Sequence, residues 1–269
     1  MNTENDPSTK LNRLSVFVSI ILIALGISVL IPSSLFEITT RVFSLQFSFP
    51  VNLYFFSNIL ITLLTATGMM WFLQSHPNLS RGTLIQHSIT PSITSFILSI
   101  VLHSMKIGPS WWFIFLMGGA VLLLVIIAEY VVIEPTDVWF PFSIVGLMSL
   151  SYLLFLIFLS AISFSDQRLF TVALIVFPIS FLVTLRSIQL RTSKWETGWA
   201  IGISFVTTQF ALVFHYWPIT PVQYGVFITG ILFSLVEFSQ NILEKNPLKR
   251  AVIEPAVGFL LFVLIGILL

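Results

Sequence analysis

Two of the four histidines in this chain lie in segments that resemble each other. Residues 92–109 and 204–221 align without a gap at a constant offset of 112, which places His103 over His215 and Pro109 over Pro221. Imidazole exchanges a proton near neutral pH, and paired imidazoles on facing helices are typical axial ligands of a b-type haem. The duplicated His-x5-Pro element therefore marks one candidate place for such chemistry, and the alternative is that both histidines are interfacial residues hydrogen-bonded to a carbonyl or to headgroup water.

Carboxylates form a second candidate group. Glu129 and Glu237 lie deeper within apolar stretches than the other acidic residues, and a charge at membrane depth is costly and often functional. We predict that both glutamates alternate between protonated and charged forms as access switches between the two sides of a membrane. The alternative is that the glutamates reach the interface or pair with Arg186, Arg191 or Arg250.

Small polar residues line one face of each histidine-bearing helix. The spacings of four, three, four and four residues place the members of the first stripe on one helical face. That stripe comprises Ser88, Ser92, Ser95, Ser99 and His103, and the second comprises Ser204, Thr208, Ala211 and His215. Such stripes are expected either to line a polar path or to form packing seams, because small residues let helices approach closely in lipid.

The composition places these helices in a bilayer. Of the 269 residues, 57% are hydrophobic and 9% are charged, far below the quarter that soluble domains carry. The net charge of +1 and the lack of a basic run interleaved with aromatics exclude a nucleic-acid partner. Since the chain has no cysteine, disulfides, thiolate catalysis and Cys-type metal sites are also excluded, and we expect no cofactor and no bound metal.

An all-α, polytopic bundle of nine transmembrane helices is the predicted fold class. A span needs roughly 20 mainly apolar residues, and polar breaks divide the sequence into nine such stretches. These are 14–35, 50–73, 84–103, 111–132, 138–162, 168–189, 198–217, 221–243 and 251–269, with a loop from Phe36 to Phe49 as the longest connection. Residues 1–13 are predicted to be a polar tail, and 14–269 a single transmembrane domain.

Lysine and arginine predict the orientation. Nine of these residues fall on one side of the nine-span arrangement and three on the other, and the richer side is cytoplasmic by the positive-inside rule. The N-terminus is therefore predicted to be cytoplasmic and the C-terminus outside. We expect an integral protein of a prokaryotic cytoplasmic membrane.

The matched histidine segments also suggest a tandem duplication. Residues 14–132 and 138–243 would be two parallel four-helix units, and 251–269 an added helix. His103 and His215 would then lie near the outer side, with Glu129 and Glu237 near the inner side. Against a duplication, His103 precedes Glu129 by 26 residues whereas His215 precedes Glu237 by 22.

These patterns favour a small-molecule or ion permease over an enzyme. The sequence has no His-Glu-x-x-His zinc-binding motif, no Gly-x-Ser-x-Gly nucleophile motif and no Gly-x4-Gly-Lys phosphate-binding loop. The predicted substrate or proton path runs between the two repeats, and its lining residues are His103, His215, Glu129, Glu237, Ser95, Ser99 and Thr208. The alternative is a non-catalytic scaffold or accessory subunit of a larger membrane complex. The expected partners are the lipid bilayer and either a second copy or a membrane-complex subunit.

Overall fold

A computed structural model describes residues 7–31, 35–42, 45–74, 83–165 and 168–269. Within these ranges, nine helices are long and apolar enough to cross a membrane, as a multi-pass integral membrane protein requires. In chain order they are α1 (Pro7–Ser28), α2 (Leu53–Leu73), α3 (Leu84–Ser104), α4 (Pro109–Val131), α5 (Phe140–Phe164), α6 (Leu169–Thr192), α7 (Thr197–His215), α8 (Pro221–Leu243) and α9 (Leu248–Leu268). The prediction of nine helical stretches is confirmed.

The connection between α1 and α2 differs from the prediction. Strands β1 (Leu35–Val42) and β2 (Leu45–Asn52) form an antiparallel hairpin where a loop from Phe36 to Phe49 was expected, while the candidate membrane spans are all helical, as predicted. The sequence carried a signal for β2, because apolar and other residues alternate from Leu45 to Asn52 with the period of two that favours a strand.

The first helix is also displaced from its predicted range of 14–35. It begins at Pro7 and ends at Ser28, so it includes half of the tail predicted for residues 1–13. Hydropathy locates the apolar core of a helix and misses a polar first turn. The early end agrees with Pro32, which disfavours helical geometry in the residue before it.

The chain divides into two compact units, Met1–Ile133 and Glu134–Leu269. In the first, α3 packs against α1, α2 and α4. Fully buried apolar side chains fill the centre of this unit; they include Ile21, Leu25, Met69, Leu102, Leu122 and Ile126. Although α3 is less apolar than most of the spans, it is the most completely buried of the nine, so its polar side chains are held inside protein.

In the second unit, α8 is the central element and contacts α5, α6, α7 and α9. Its start is fixed by a capping box in which the Thr220 hydroxyl accepts from the Gln223 amide and the Gln223 side chain accepts from the Thr220 amide. Glycines on α8 and α9 permit close contact with phenylalanines of the facing helix: Gly230 lies against Phe262, and Gly258 against Phe233. This interlock attaches α9 to the unit.

Candidate functional site

A buried histidine–glutamate pair joins α3 to α4 in the first unit. Nδ1 of His87 lies 2.9 Å from Oε2 of Glu129, and the two side chains are 6% and 0% exposed. Both residues stand 21 positions from Gly108, the residue before α4, so the antiparallel helices α3 and α4 place them at the same depth. Among the described residues, Glu129 has the most fully buried acidic side chain.

A proline lies one helical turn after the histidine of this pair. Pro91 lies inside α3 four residues after His87 and has no N–H, so it cannot donate the helical hydrogen bond to the His87 carbonyl. The proline ring also crowds that carbonyl, which is why prolines bend helices. Although α3 is continuous from Leu84 to Ser104, the residue that bears the imidazole therefore lacks the usual helical donor to its carbonyl.

Gln86 supplies a third polar group. Its side-chain nitrogen lies 3.5 Å from Nε2 of His87, and Gln86 is 8% exposed. When the amide donates, Nε2 accepts and the ring proton is on Nδ1, directed at Glu129. Because an amide also offers an oxygen, a half-turn of the Gln86 side chain would accommodate a ring protonated on Nε2.

Glu129 was a predicted site residue, but its contact with His87 was not anticipated. His87 was not among the predicted site residues, and it lies about 24 Å along the helix from His103, which was. The sequence did carry a signal for this contact, because His87 and Glu129 are equally far from Gly108. A pair of ionisable residues equidistant from a short helix–helix connection must lie at one depth.

The predicted residues at the other end of α3 form a separate cluster. The ring of His103 stacks on Tyr54 of α2, with ring centroids 3.6 Å apart and an angle of 13° between the planes. The Tyr54 hydroxyl lies 3.5 Å from the Ser99 hydroxyl, a long contact in which either oxygen could donate. His103 and Ser99 are thus brought together, while Glu129 lies with His87 toward the opposite end of α3.

Hydroxyls of the small-residue stripes bond mainly within their own helices. Ser95 donates to the Ser92 carbonyl at 3.0 Å, and Thr208 donates to the Ser204 carbonyl at 2.7 Å. Ser95 and Thr208 are both buried. Back-bonded hydroxyls of this kind suit closely packed helices and leave fewer donors for a solute.

In the second unit, Glu237 is part of an ion-paired network at the ends of α6 and α8. The Arg191 guanidinium donates to Glu237 at 2.7 Å, to Glu244 at 2.6 and 3.0 Å, and to Gln240 at 3.1 Å. Gln240 in turn donates to the Ser187 carbonyl at 2.9 Å. Glu237 is therefore paired with an arginine, which was the alternative stated from the sequence.

A second, more exposed ion pair lies at the start of α9. Arg250 donates to Glu254 at 2.7 Å, with side chains 58% and 39% exposed, and Asn241 of α8 donates to the same carboxylate at 3.2 Å. Asn241 also accepts from Asn246 at 2.8 Å. These contacts fix the turn between α8 and α9.

His215 ends α7 beside two tyrosines. Its ring centroid lies 5.0 Å from that of Tyr216 and 6.3 Å from that of Tyr224. The Tyr224 hydroxyl donates to the Ala211 carbonyl at 3.0 Å, which ties the start of α8 to the end of α7. In the first unit, Trp111 ties the start of α4 to the end of α3 in the same way, because its Nε1 donates to the Leu102 carbonyl at 3.0 Å.

Within the described ranges of the chain, no cluster of three or more histidine, cysteine, aspartate or glutamate side chains has metal-binding geometry. The polar groups suited to chemistry are the buried His87–Glu129 pair and the stacked His103–Tyr54 pair. Of the two, the His87–Glu129 pair combines full burial with two groups that exchange protons.

Comparison with known proteins gives one match. A family model, described as a protein of unknown function (DUF5656), matches residues 31–269, which include the hairpin and α2 to α9. No curated protein matches the chain, and no solved structure does.

Proposed function

The chain belongs to the DUF5656 family, and we propose that it is a small-molecule or ion permease whose proton-binding site is the His87–Glu129 pair. The observation that carries the proposal is the burial of Glu129, 0% exposed, at 2.9 Å from the His87 imidazole within spanning helices. An ionisable group at membrane depth, held by a titratable partner, is typical of proton relays in pumps and transporters.

The charge states of the pair explain how it would couple to transport. When Nε2 of His87 carries its own proton, one further proton shared between Nδ1 of His87 and the Glu129 carboxylate leaves the pair with no net charge. Gain or loss of a proton leaves a net charge of +1 or −1 on side chains that are enclosed in protein, where an uncompensated charge is costly. Gain or loss of that proton becomes favourable when the charge of a bound solute, or exposure of the pair to the other side of the membrane, offsets the energy of the buried charge.

Stability alone gives a weaker reason for the pair. A fully buried ion pair seldom stabilises a fold relative to apolar side chains of similar volume, because both charges lose their hydration. Pro91 adds to the case, because it leaves the His87 carbonyl without its helical donor close to the pair. A packing role would not require two ionisable side chains in contact.

Glu237 has a different role in this proposal from the one predicted. Its carboxylate is held by Arg191, which also binds Glu244 and Gln240, so a proton on Glu237 would break a network that joins α6 to α8. We assign Glu237 to that structural network and proton exchange to Glu129. Ser99 and His103 remain proposed path residues of the first unit.

The experiment uses vesicles that contain the full chain and a trapped pH-sensitive dye. An inward proton gradient is imposed while pools of amino acids, sugars, nucleosides and carboxylic acids are added in turn. We expect at least one pool to accelerate acidification with the wild-type protein and not with Glu129→Gln. Glu254→Gln is the matched control, because that carboxylate is 39% exposed, and it should retain the wild-type rate.

Two results would contradict the proposal: no pool accelerating proton entry with folded wild-type protein, or Glu129→Gln matching the wild type. The first would favour the other candidate, an accessory subunit of a membrane complex. The hydroxyls of Ser95 and Thr208, which bond within their own helices, favour that candidate because they make the small-residue stripes packing seams.

A further inference from the structure

An apolar groove runs along the outside of the first unit between α1 and the start of α4. Its volume is about 640 Å³, within the range of about 300–1,000 Å³ that is usual for ligand sites. The α1 wall extends from Ser19 toward the helix end at Ser28, which at 1.5 Å per residue is about 14 Å, and Val29 and Leu30 continue the lining beyond the helix. That length is close to one leaflet of a bilayer whose hydrocarbon core is about 30 Å thick.

The opposite wall is aromatic and held in place. Trp111 is buried, donates from Nε1 to the Leu102 carbonyl and stacks on Phe115 with ring centroids 5.2 Å apart. Trp112 meets Trp111 edge to face at 5.0 Å and remains 55% exposed. Indole rings favour the boundary between hydrocarbon and headgroups, where the ring is buried and the N–H remains hydrated.

A cation lies beside the open end of the groove. Lys106 is exposed and directly precedes Ile107, which lines the groove where α3 connects to α4. An anionic headgroup at this level is therefore attracted to Lys106.

We propose that the groove binds one acyl chain of an anionic phospholipid, whose headgroup phosphate lies at Lys106. The acyl chain would lie against the apolar α1 wall, and the Trp112 indole N–H would face the ester groups of the lipid. Apolar lining, a length of one leaflet and a cation at the interfacial end together identify the occupant as a lipid. This inference is independent of the proton site.

A glycine on the α1 wall allows a direct test. A Cβ added at Gly26 would meet no atom within 4 Å, so Gly26→Leu places a side chain in the groove without a clash. Gly202 on α7 has equally open surroundings and lies outside the groove, which makes Gly202→Leu the matched control. Lys106→Gln removes the cation and leaves the walls intact.

The measurement is native mass spectrometry of protein released from nanodiscs that contain equal amounts of phosphatidylglycerol and phosphatidylcholine. We expect the wild type to retain one phosphatidylglycerol with about fivefold preference, the factor for about 1 kcal/mol per interfacial lysine. Lys106→Gln should lose the preference, Gly26→Leu should lose retention of both lipids, and Gly202→Leu should match the wild type.

Three results would overturn the inference. Retention in Gly26→Leu equal to the wild type would exclude the groove as the site. Equal retention of the two lipids by the wild type would exclude a role for the headgroup charge. A wild-type dimer without lipid that Gly26→Leu dissociates would show that a second copy of the chain occupies the groove.

Discussion

Removal of one member of the buried His87–Glu129 pair should destabilise the protein far more than removal of both. Glu129→Met leaves the buried His87 imidazole without its carboxylate partner, and His87→Met leaves a buried carboxyl group without that imidazole. Breaking a buried ion pair from one side costs about 3–5 kcal/mol, roughly a hundred- to several-thousand-fold in the folding equilibrium. The double replacement should return to within about 1 kcal/mol of the wild type, because apolar residues of similar volume substitute well for a buried pair.

Unfolding by sodium dodecyl sulfate in mixed micelles, followed by tryptophan fluorescence, would measure the three free energies of unfolding. Glu254→Gln serves as the control, and its partly exposed pair with Arg250 should leave the unfolding midpoint close to that of the wild type. Cross-helix hydrogen bonds between neutral groups average about 0.6 kcal/mol in membrane proteins. A single-variant loss of that size, or a double variant as unstable as the sum of the two singles, would refute a buried charged pair.

Three further changes follow from particular contacts. Arg191→Lys should lower the free energy of unfolding by about 1–2 kcal/mol, because the single ammonium group of lysine cannot bind both Glu237 and Glu244. The melting temperature in a differential fluorescence scan should fall accordingly. An unchanged melting temperature would count against the network. Gly225→Ala should destabilise by about 1–3 kcal/mol in the detergent assay, since its Cβ would lie 2.8 Å from the Leu156 carbonyl oxygen, whereas Gly202→Ala, in open space, should be neutral or stabilising. Tyr224→Phe should cost about 0.5–1.5 kcal/mol by losing the bond to the Ala211 carbonyl, and no loss would mean that water replaces the bond.

The nine spans could be found from the sequence because hydropathy is a local property that sums along one helix. Charge counting gave a predicted orientation on the same basis, and helix boundaries within three residues were obtained for eight of the nine spans. The first helix was displaced because its polar first turn carries no apolar signal, and the hairpin was missed because a short period-two pattern lay between two strongly apolar stretches.

The sequence also identified Glu129 and Glu237 as the candidate carboxylates, since ionisable residues are conspicuous in apolar stretches. It offered Arg191 only as one of three possible arginine partners, and it did not identify His87 as the partner of Glu129. The tertiary structure places Glu129 beside His87 and Glu237 beside Arg191, so that similar residues have different surroundings. Which side chains meet depends on the rotation and depth of each helix against its neighbours, and these are determined by packing over the whole unit.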